Sequence, residues 1–283
     1  MMVRVFFLAV VSMLWFFGAV PVATLDENQL PLPGRLSEVS GICFDAQGRL
    51  FAHNDELGMV CEIDPLNGSI RKSFYITSRG WYGTSRIAAD FEDIAIVGTT
   101  FFLVDSSGTL YMFEEGEDGA EVEAVKFDTP LTESWDIEGL CFDPIGNRLF
   151  LACKEWPKNH RPSGVKGVKP VFAFSLDEQL LSDEPYLLIP SADLKNISRD
   201  DRFKPSGMRI DPLSGNFLVL ASIGSMVVEL DRNGRLLSWK HLDTIRHPQP
   251  EGIALDSLGR LYIADEDLFQ GRLTRYPSYE MMP

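Results

Sequence analysis

Three glutamates and two serines stand at matching places in this chain, each directly before an apolar run. The glutamates open EDIAIVGTTFFLVDSSG at Glu92, EGLCFDPIGNRLFLACKE at Glu138 and EGIALDSLGRLYIADED at Glu251. The serines open SGICFDAQGRLFAHND at Ser40 and SGMRIDPLSGNFLVLAS at Ser206. A carboxylate at the head of a buried strand is costly unless it faces an opening or is paired. Several carboxylates in one confined opening repel one another, and a bound cation removes that difficulty. The donors here are all oxygen, with no His–Cys cluster offering a soft site. A hard cation therefore fits best, and calcium, which takes about six to eight oxygen ligands, is preferred over magnesium.

If each segment is a two-stranded hairpin, the residue starting its first strand and those ending its second lie at the same side. The ends supply Asn54 and Asp55, Asp105, Glu155, Ser222, and Asp265 with Glu266. The expected metal ligands are Glu92, Glu138 and Glu251, followed by Glu155 and Glu266. The plainer alternative for any one of these is a rim residue hydrogen-bonded to a neighbouring backbone. Catalytic signals are sparse: among the histidines only His53, in AHNDE, is expected near the opening, where it or Glu155 could act as a general base. The sequence contains no GxSxG elbow, no phosphate-binding glycine loop and no HExxH.

The architecture that would gather these residues follows from their spacing. The segments start at 40, 92, 138, 206 and 251, so successive intervals are 52, 46, 68 and 45 residues. A recurrent unit in the mid-forties, built of short apolar runs cut by Asp-to-Gly turns, fits a β-propeller blade rather than a helical repeat. The sequence thus predicts an all-β, five-bladed propeller of four-stranded antiparallel blades. In the first blade the strands are expected at 38–44, 49–54, 59–63 and 69–76. The last blade has only three runs before the chain ends, and an unpaired edge is a liability. The segment LDENQLPLPGRL, residues 25–36, is the expected donor of the missing strand. The longest interval marks an insertion, WPKNHRPSGVKGVKP at 156–170, read as a long loop. With Lys154, Lys158, Arg161, Lys166 and Lys169 it is basic within an acidic chain. It is either a solvated loop or a lid that meets an anionic ligand.

The 283 residues carry a formal net charge of −15, which argues against a nucleic-acid partner. Arg4 precedes the apolar run at 5–23, and residues 1–24 read as a signal peptide or an N-terminal membrane anchor, leaving 25–283 as the propeller. An exported monomer is expected: periplasmic, anchored to the envelope or secreted. Cys43, Cys61, Cys141 and Cys153 lack the spacing of a zinc site and are expected to be small buried residues rather than bridges.

The segments SEVSGICFD, ADFEDIAIV, WDIEGLCFD, KPSGMRID and QPEGIALD, in that order and followed by LYIADEDLF, resemble the SdiA-regulated family of exported bacterial β-propellers. The resemblance runs over about residues 36–277. It implies a five-bladed propeller distantly related to NHL-repeat proteins, with a calcium site and no established activity. The calcium site is carried over onto Glu92, Glu138, Glu251, Glu155 and Glu266. Ser106 and Ile223 stand where an acidic residue is expected after the second strand, so blades two and four are expected to contribute less. Two functions follow as expectations. One is a calcium-binding interaction module of the cell envelope. The other is a calcium-dependent hydrolase, phytase-like, an esterase or a lactonase, acting on a small anionic substrate.

Overall fold

Short apolar strands separated by aspartate-led turns set the architecture. In the computed structural model, which describes residues 28–81, 83–163, 165–198 and 202–282, they form five antiparallel sheets in a ring. The segment 1–24 lies outside the described residues. Among the described residues no helix is long and apolar enough to cross a membrane.

The turns explain the regularity of the blades. In the first, Asp45 Oδ1 accepts hydrogen bonds from the backbone N–H groups of Gln47 and Arg49, at 2.9 and 2.8 Å, and Oδ2 meets Arg49 Nε at 2.7 Å. Gly48 completes the reversal at φ 79°, a conformation that glycine adopts without a Cβ penalty. Asp256 repeats the device with Leu258 and Arg260.

The innermost strands are Val39–Phe44, Phe91–Val97, Ile137–Asp143, Gly207–Ile210 and Pro250–Leu255. The second strands are Leu50–Asn54, Thr100–Asp105, Arg148–Cys153, Phe217–Ala221 and Leu261–Asp265. Inner and second strands are largely buried, because both faces of a blade pack against neighbouring blades. Blade 5 is completed by the N-terminal strand Gln29–Pro31, antiparallel to Arg272–Tyr276, so the ring closes as the sequence predicts. Leu32 and Leu36, just beyond that strand, are fully buried in the seam between blades 5 and 1.

Two blades depart from the simple pattern. In blade 1 the outer strand Ile70–Gly80 runs on past its neighbours and pairs with Gly83–Arg86, and also in parallel with Glu121–Glu123. In blade 3 the fourth place is shared by Leu180–Leu181 and Leu187–Ile189, both paired with Lys169–Ser175. The 68-residue interval therefore holds two irregular stretches, the loop before Lys169 and a helix at Ser191–Ile197. All four cysteines are free thiols.

Register along the inner strands defines what faces the axis. The residues after the five chain-opening positions are Gly41, Asp93, Gly139, Gly207 and Gly252; two further on come Cys43, Ala95, Cys141, Arg209 and Ala254. Four glycines leave space, and the single aspartate fills it. A methyl group on Gly41 would stand 2.7 Å from Asp93 Oδ1. Arg209 comes from the other side. Its Nη1 donates to Asp93 Oδ2 at 2.8 Å and to the carbonyls of Leu140 and Met208 at 2.6 Å. Its Nη2 donates to Asp93 Oδ1 at 2.7 Å and to the carbonyls of Ile42 and Ile94 at 2.6 and 3.0 Å. The pair thus ties four blades together and plugs the channel.

Removing one partner of such a pair leaves the other charge buried and uncompensated. Asp93→Asn is expected to destabilise the protein by about 3–5 kcal/mol in chemical denaturation. A loss below about 1 kcal/mol, the scale of an exposed pair, would contradict the plug.

Candidate site at the channel mouth

The opening glutamates sit above the plug, and β-bulges aim them there. Phe91 pairs with Asp105 and Asp93 with Val104, leaving Glu92 as the extra residue. Glu138 is the extra residue between the Ile137–Cys153 and Gly139–Ala152 pairs, and Glu251 between Pro250–Asp265 and Gly252–Ala264. A bulge breaks the two-residue alternation and re-aims a side chain, here towards the mouth rather than into the packing between blades. The serines do something else. Ser40 Oγ donates to the Glu92 carbonyl at 2.9 Å and Ser206 Oγ to the Pro250 carbonyl at 2.8 Å. They tie blade 1 to blade 2 and blade 4 to blade 5.

The three mouth carboxylates are held in a poorly solvated space. Burial, then the nearby Glu138 and Asp90 carboxylates, push Glu92 up to about 10. Burial also raises Glu138, to about 8, against the pull of Lys154. Glu251 rises to about 7, through burial opposed by Lys154 and reinforced by Glu266. Among the described residues Lys154 is the cation that acts on all three: its Nζ donates to Glu138 Oε1 and lies 3.9 Å from Asp136 Oδ2. Glu138 is itself only 4% exposed.

The other sequence candidates lie elsewhere. Glu155 turns to a basic cluster, pairing with Lys204 at 2.8 Å and Lys169 at 3.2 Å. Although burial works the other way, those ammonium groups hold its carboxyl below the usual range. Glu266 accepts a bond from Gln249 Nε2 at 2.7 Å; burial and the Glu38 carboxylate raise it. His53 is fully buried below the mouth. Its Nδ1 donates to the Asn54 carbonyl at 2.9 Å, and burial pushes the imidazole down to about 4, leaving it neutral and out of contact with water. Asp105 is spent on its own turn and on Tyr111 Oη. Asp265 is buried against His247 Nδ1 at 2.7 Å, while His247 Nε2 meets Tyr276 Oη at the same distance. The basic insertion is likewise partly used internally: Arg161 donates to the Trp156 carbonyl and Lys169 to Glu155.

As a metal centre the mouth fits in part. Glu92, Glu138 and Glu251 supply the hard oxygen donors that calcium favours, with Ser222 and Gln249 bonded to Glu251. Against this, Lys154 already engages Glu138. Among the described residues, moreover, no three His, Cys, Asp or Glu side chains converge as a metal-binding group. Beside the ring lies a cavity of ≈ 450 Å³, lined by Lys154, Arg202, Lys204, Ser206, Ser222 and Glu251 among others. The mouth is therefore bipolar, acidic over the axis and basic towards blades 3 and 4.

A model of the SdiA-regulated family matches residues 88–269, which include all five sequence-derived carboxylates. The chain belongs to the SdiA-regulated family. Among solved structures, this SdiA-regulated chain is similar to a luciferin-regenerating enzyme, at 13% identity and a TM-score of 0.51 over 86% of this chain and 92% of that one. It is also similar to the glutaminyl cyclase of Myxococcus xanthus, at 15% identity and a TM-score of 0.54 over 88% and 95%. At such identities the likeness is one of fold.

Sequence reasoning missed Lys154 as the counter-charge of Glu138, and missed the Asp93–Arg209 plug. Both leave signals in the repeat. Lys154 directly precedes Glu155, and EDI replaces the EG or SG of the other copies, while Arg209 stands where they carry Cys or Ala.

The raised carboxyl groups fix a pH dependence. The folded mouth keeps protons that the unfolded chain releases above its ordinary carboxylate range, near 4.3, so stability falls as pH rises. In chelator, the melting temperature is expected to decline between about pH 6.5 and pH 8, above the range in which the neutral, buried His53 makes stability rise with pH. Glu92→Gln is expected to flatten that slope. A wild-type profile that stays level or rises contradicts the description of the mouth.

Proposed function

We propose that the channel mouth is a calcium site and that the protein is an exported binding module of the cell envelope. One observation carries the proposal: three carboxylates with raised proton affinity share the acidic side of the mouth, where, among the described residues, Lys154 is the cation that acts on all three. A divalent cation supplies the missing charge, and the oxygen-only donor set selects a hard one. Glu92, Glu138 and Glu251 would hold it. Glu155 and Glu266 are second choices, the former engaged by two lysines. Lys154 acts as an internal competitor that releases Glu138 when calcium enters. Export is supported by the apolar run at 5–23 behind Arg4, which also offers a route to membrane association.

A second reading is a calcium-dependent hydrolase acting on a small anionic ester, lactone or phosphoester. It is favoured by the ≈ 450 Å³ cavity whose basic wall, with Lys204 and Arg202, adjoins Glu251 and Lys154. Two proteins of similar fold are enzymes by name, a luciferin-regenerating enzyme and a glutaminyl cyclase. The binding reading stands first because, among the described residues, neither candidate base lies free at the mouth: His53 is buried, and Glu155 is held by lysines.

Isothermal calorimetry on metal-stripped protein separates these readings. Calcium is expected to bind, Glu138→Gln to weaken binding about tenfold or more, and Lys154→Met to tighten it by about tenfold, as expected for removing a like charge at close range. No calcium heat in wild type and in Lys154→Met would overturn the site. Calcium-dependent turnover of an aryl ester, a lactone or phytate that vanishes in Glu138→Gln would favour the hydrolase over the module.

A further inference from the structure

Two loops of like composition stand side by side on the rim of the mouth. Each joins the second strand of its blade to the third, at the end of the ring where the inner strands begin. In blade 1 the loop carries Asp55, Glu56 and Leu57; in blade 5 it carries Glu266, Asp267, Leu268 and Phe269. Blade 2 has Ser106–Ser107–Gly108 at this place, blade 4 has Ser222–Ile223–Gly224, and blade 3 opens on Lys154. The acidic and apolar combination thus belongs to the neighbouring blades 5 and 1. The segment leading into blade 1 joins the two loops: the Ser37 carbonyl accepts from Asp267 N–H at 3.0 Å, and the Glu38 carbonyl from Asp55 N–H at 3.2 Å.

Apolar side chains on these loops are left in water. Leu268 is 85% exposed, Phe269 87% and Leu57 49%. Beside them rises the arm formed by Ile70–Gly80 and Gly83–Arg86. Its Ile76 N–H donates to the Gly58 carbonyl at 2.8 Å, and its tip carries Trp81, 96% exposed. A single exposed leucine is ordinary, whereas adjoining loops that present two leucines and a phenylalanine together mark an interaction surface.

The carboxylates decide what covers it. Among the described residues Glu38, Asp55, Glu56 and Glu266 pair with no cation, while Asp267 meets Arg272 at 3.0 Å. Repulsion within the group shows at Asp55, which burial and then the Glu38 and Glu266 carboxylates push up to about 6. A lipid surface would have to desolvate these charges beside its apolar layer, and an anionic one would repel them. A two-fold contact between copies would set the same carboxylates against each other. A metal ion or a small organic cation answers the charge and leaves the apolar side chains in water. A polypeptide segment with lysine or arginine beside aliphatic residues answers both, and the stems of its basic side chains cover further apolar surface.

We propose that the rim of blades 5 and 1 is the docking surface of a basic, apolar polypeptide segment, its aliphatic side chains on Leu57, Leu268 and Phe269 and its cationic groups on Glu38, Glu56 and Glu266. The proposal rests on the reading of the protein as a binding module, whose partner's chemistry it supplies, and it needs no calcium.

Hydrogen exchange read by mass spectrometry on the full chain, in chelator, tests it with three model peptides: an amphipathic leucine–lysine peptide, its leucine–glutamine analogue and its serine–lysine analogue. The leucine–lysine peptide is expected to slow exchange in residues 55–58 and 266–271 but not in 106–108, the matching loop of blade 2. Both analogues are expected to require about tenfold more peptide for the same protection, since each lacks one of the two contacts. Leu268→Ser/Phe269→Ser is expected to weaken binding about tenfold, and Glu38→Gln/Glu56→Gln about threefold, the range of exposed ion pairs. Equal protection by an analogue, protection confined to other blades, or unchanged binding in the Leu268→Ser/Phe269→Ser variant overturns the proposal. So does self-association or vesicle binding that this variant abolishes, which would give the patch to a second copy or to lipid. A protein that binds calcium, turns over no ester and ignores all three peptides overturns the docking surface alone. One that turns over an ester with calcium and ignores them overturns the binding module as well.

Discussion

One buried ion pair organises the molecule. Asp93 and Arg209, 2% and 7% exposed, meet at the axis of the ring, where the guanidinium also collects carbonyls from blades 1 to 4. A propeller of five blades has to fill or hydrate its centre. Here four glycines clear the level at which one carboxylate enters, and small residues around Arg209 clear the next. A buried pair of this kind contributes most through its completed hydrogen bonds, since burial of either charge alone is strongly unfavourable. The channel is therefore divided. Below the plug, Cys43, Cys141 and Ala254 line a cavity of ≈ 170 Å³ with Arg209. Above it, the mouth is a closed cup rather than the entrance of a pore.

That closure governs the chemistry of the cup. With the ion pair packed beneath them, Glu92, Glu138 and Glu251 feel burial as the first cause of their raised proton affinity. The bulges present the carboxylates to one another, and Lys154 offsets only part of their charge. A site with an unbalanced negative charge has two ways to relax, proton uptake or cation binding, and the two compete. The division between acidic axis and basic flank further means that an anion arriving from blades 3 and 4 would meet any bound cation directly.

Much of this was legible in the sequence because the determinants are local. The Asp-to-Gly turns, the apolar runs of strand length and the spacing of the openings predict five blades, and in the first of them the first three strands fall within a residue of Val39–Phe44, Leu50–Asn54 and Met59–Ile63. The short fifth blade predicts the N-terminal closing strand, and the free cysteines follow from their strand positions. What the sequence hides is pairing at long range. Asp93 and Arg209 are 116 residues apart, and each is an exception to its own repeat copy. They make sense only as mutual exceptions once the register places both on the axis. Glu155 misleads for a related reason. Its position at the end of a second strand suggests the mouth, yet Lys169 from the third strand and Lys204 from the approach to blade 4 draw it aside.

The central claim is that the excess negative charge at the mouth holds a divalent cation. Terbium, a calcium substitute with strong anomalous scattering, locates such an ion directly in crystals of the metal-stripped protein. The account predicts an anomalous peak within bonding distance of Glu138 and at least one of Glu92 and Glu251, with Lys154 Nζ withdrawn from Glu138. A map with no peak at the mouth, and Lys154 still on Glu138, would contradict it.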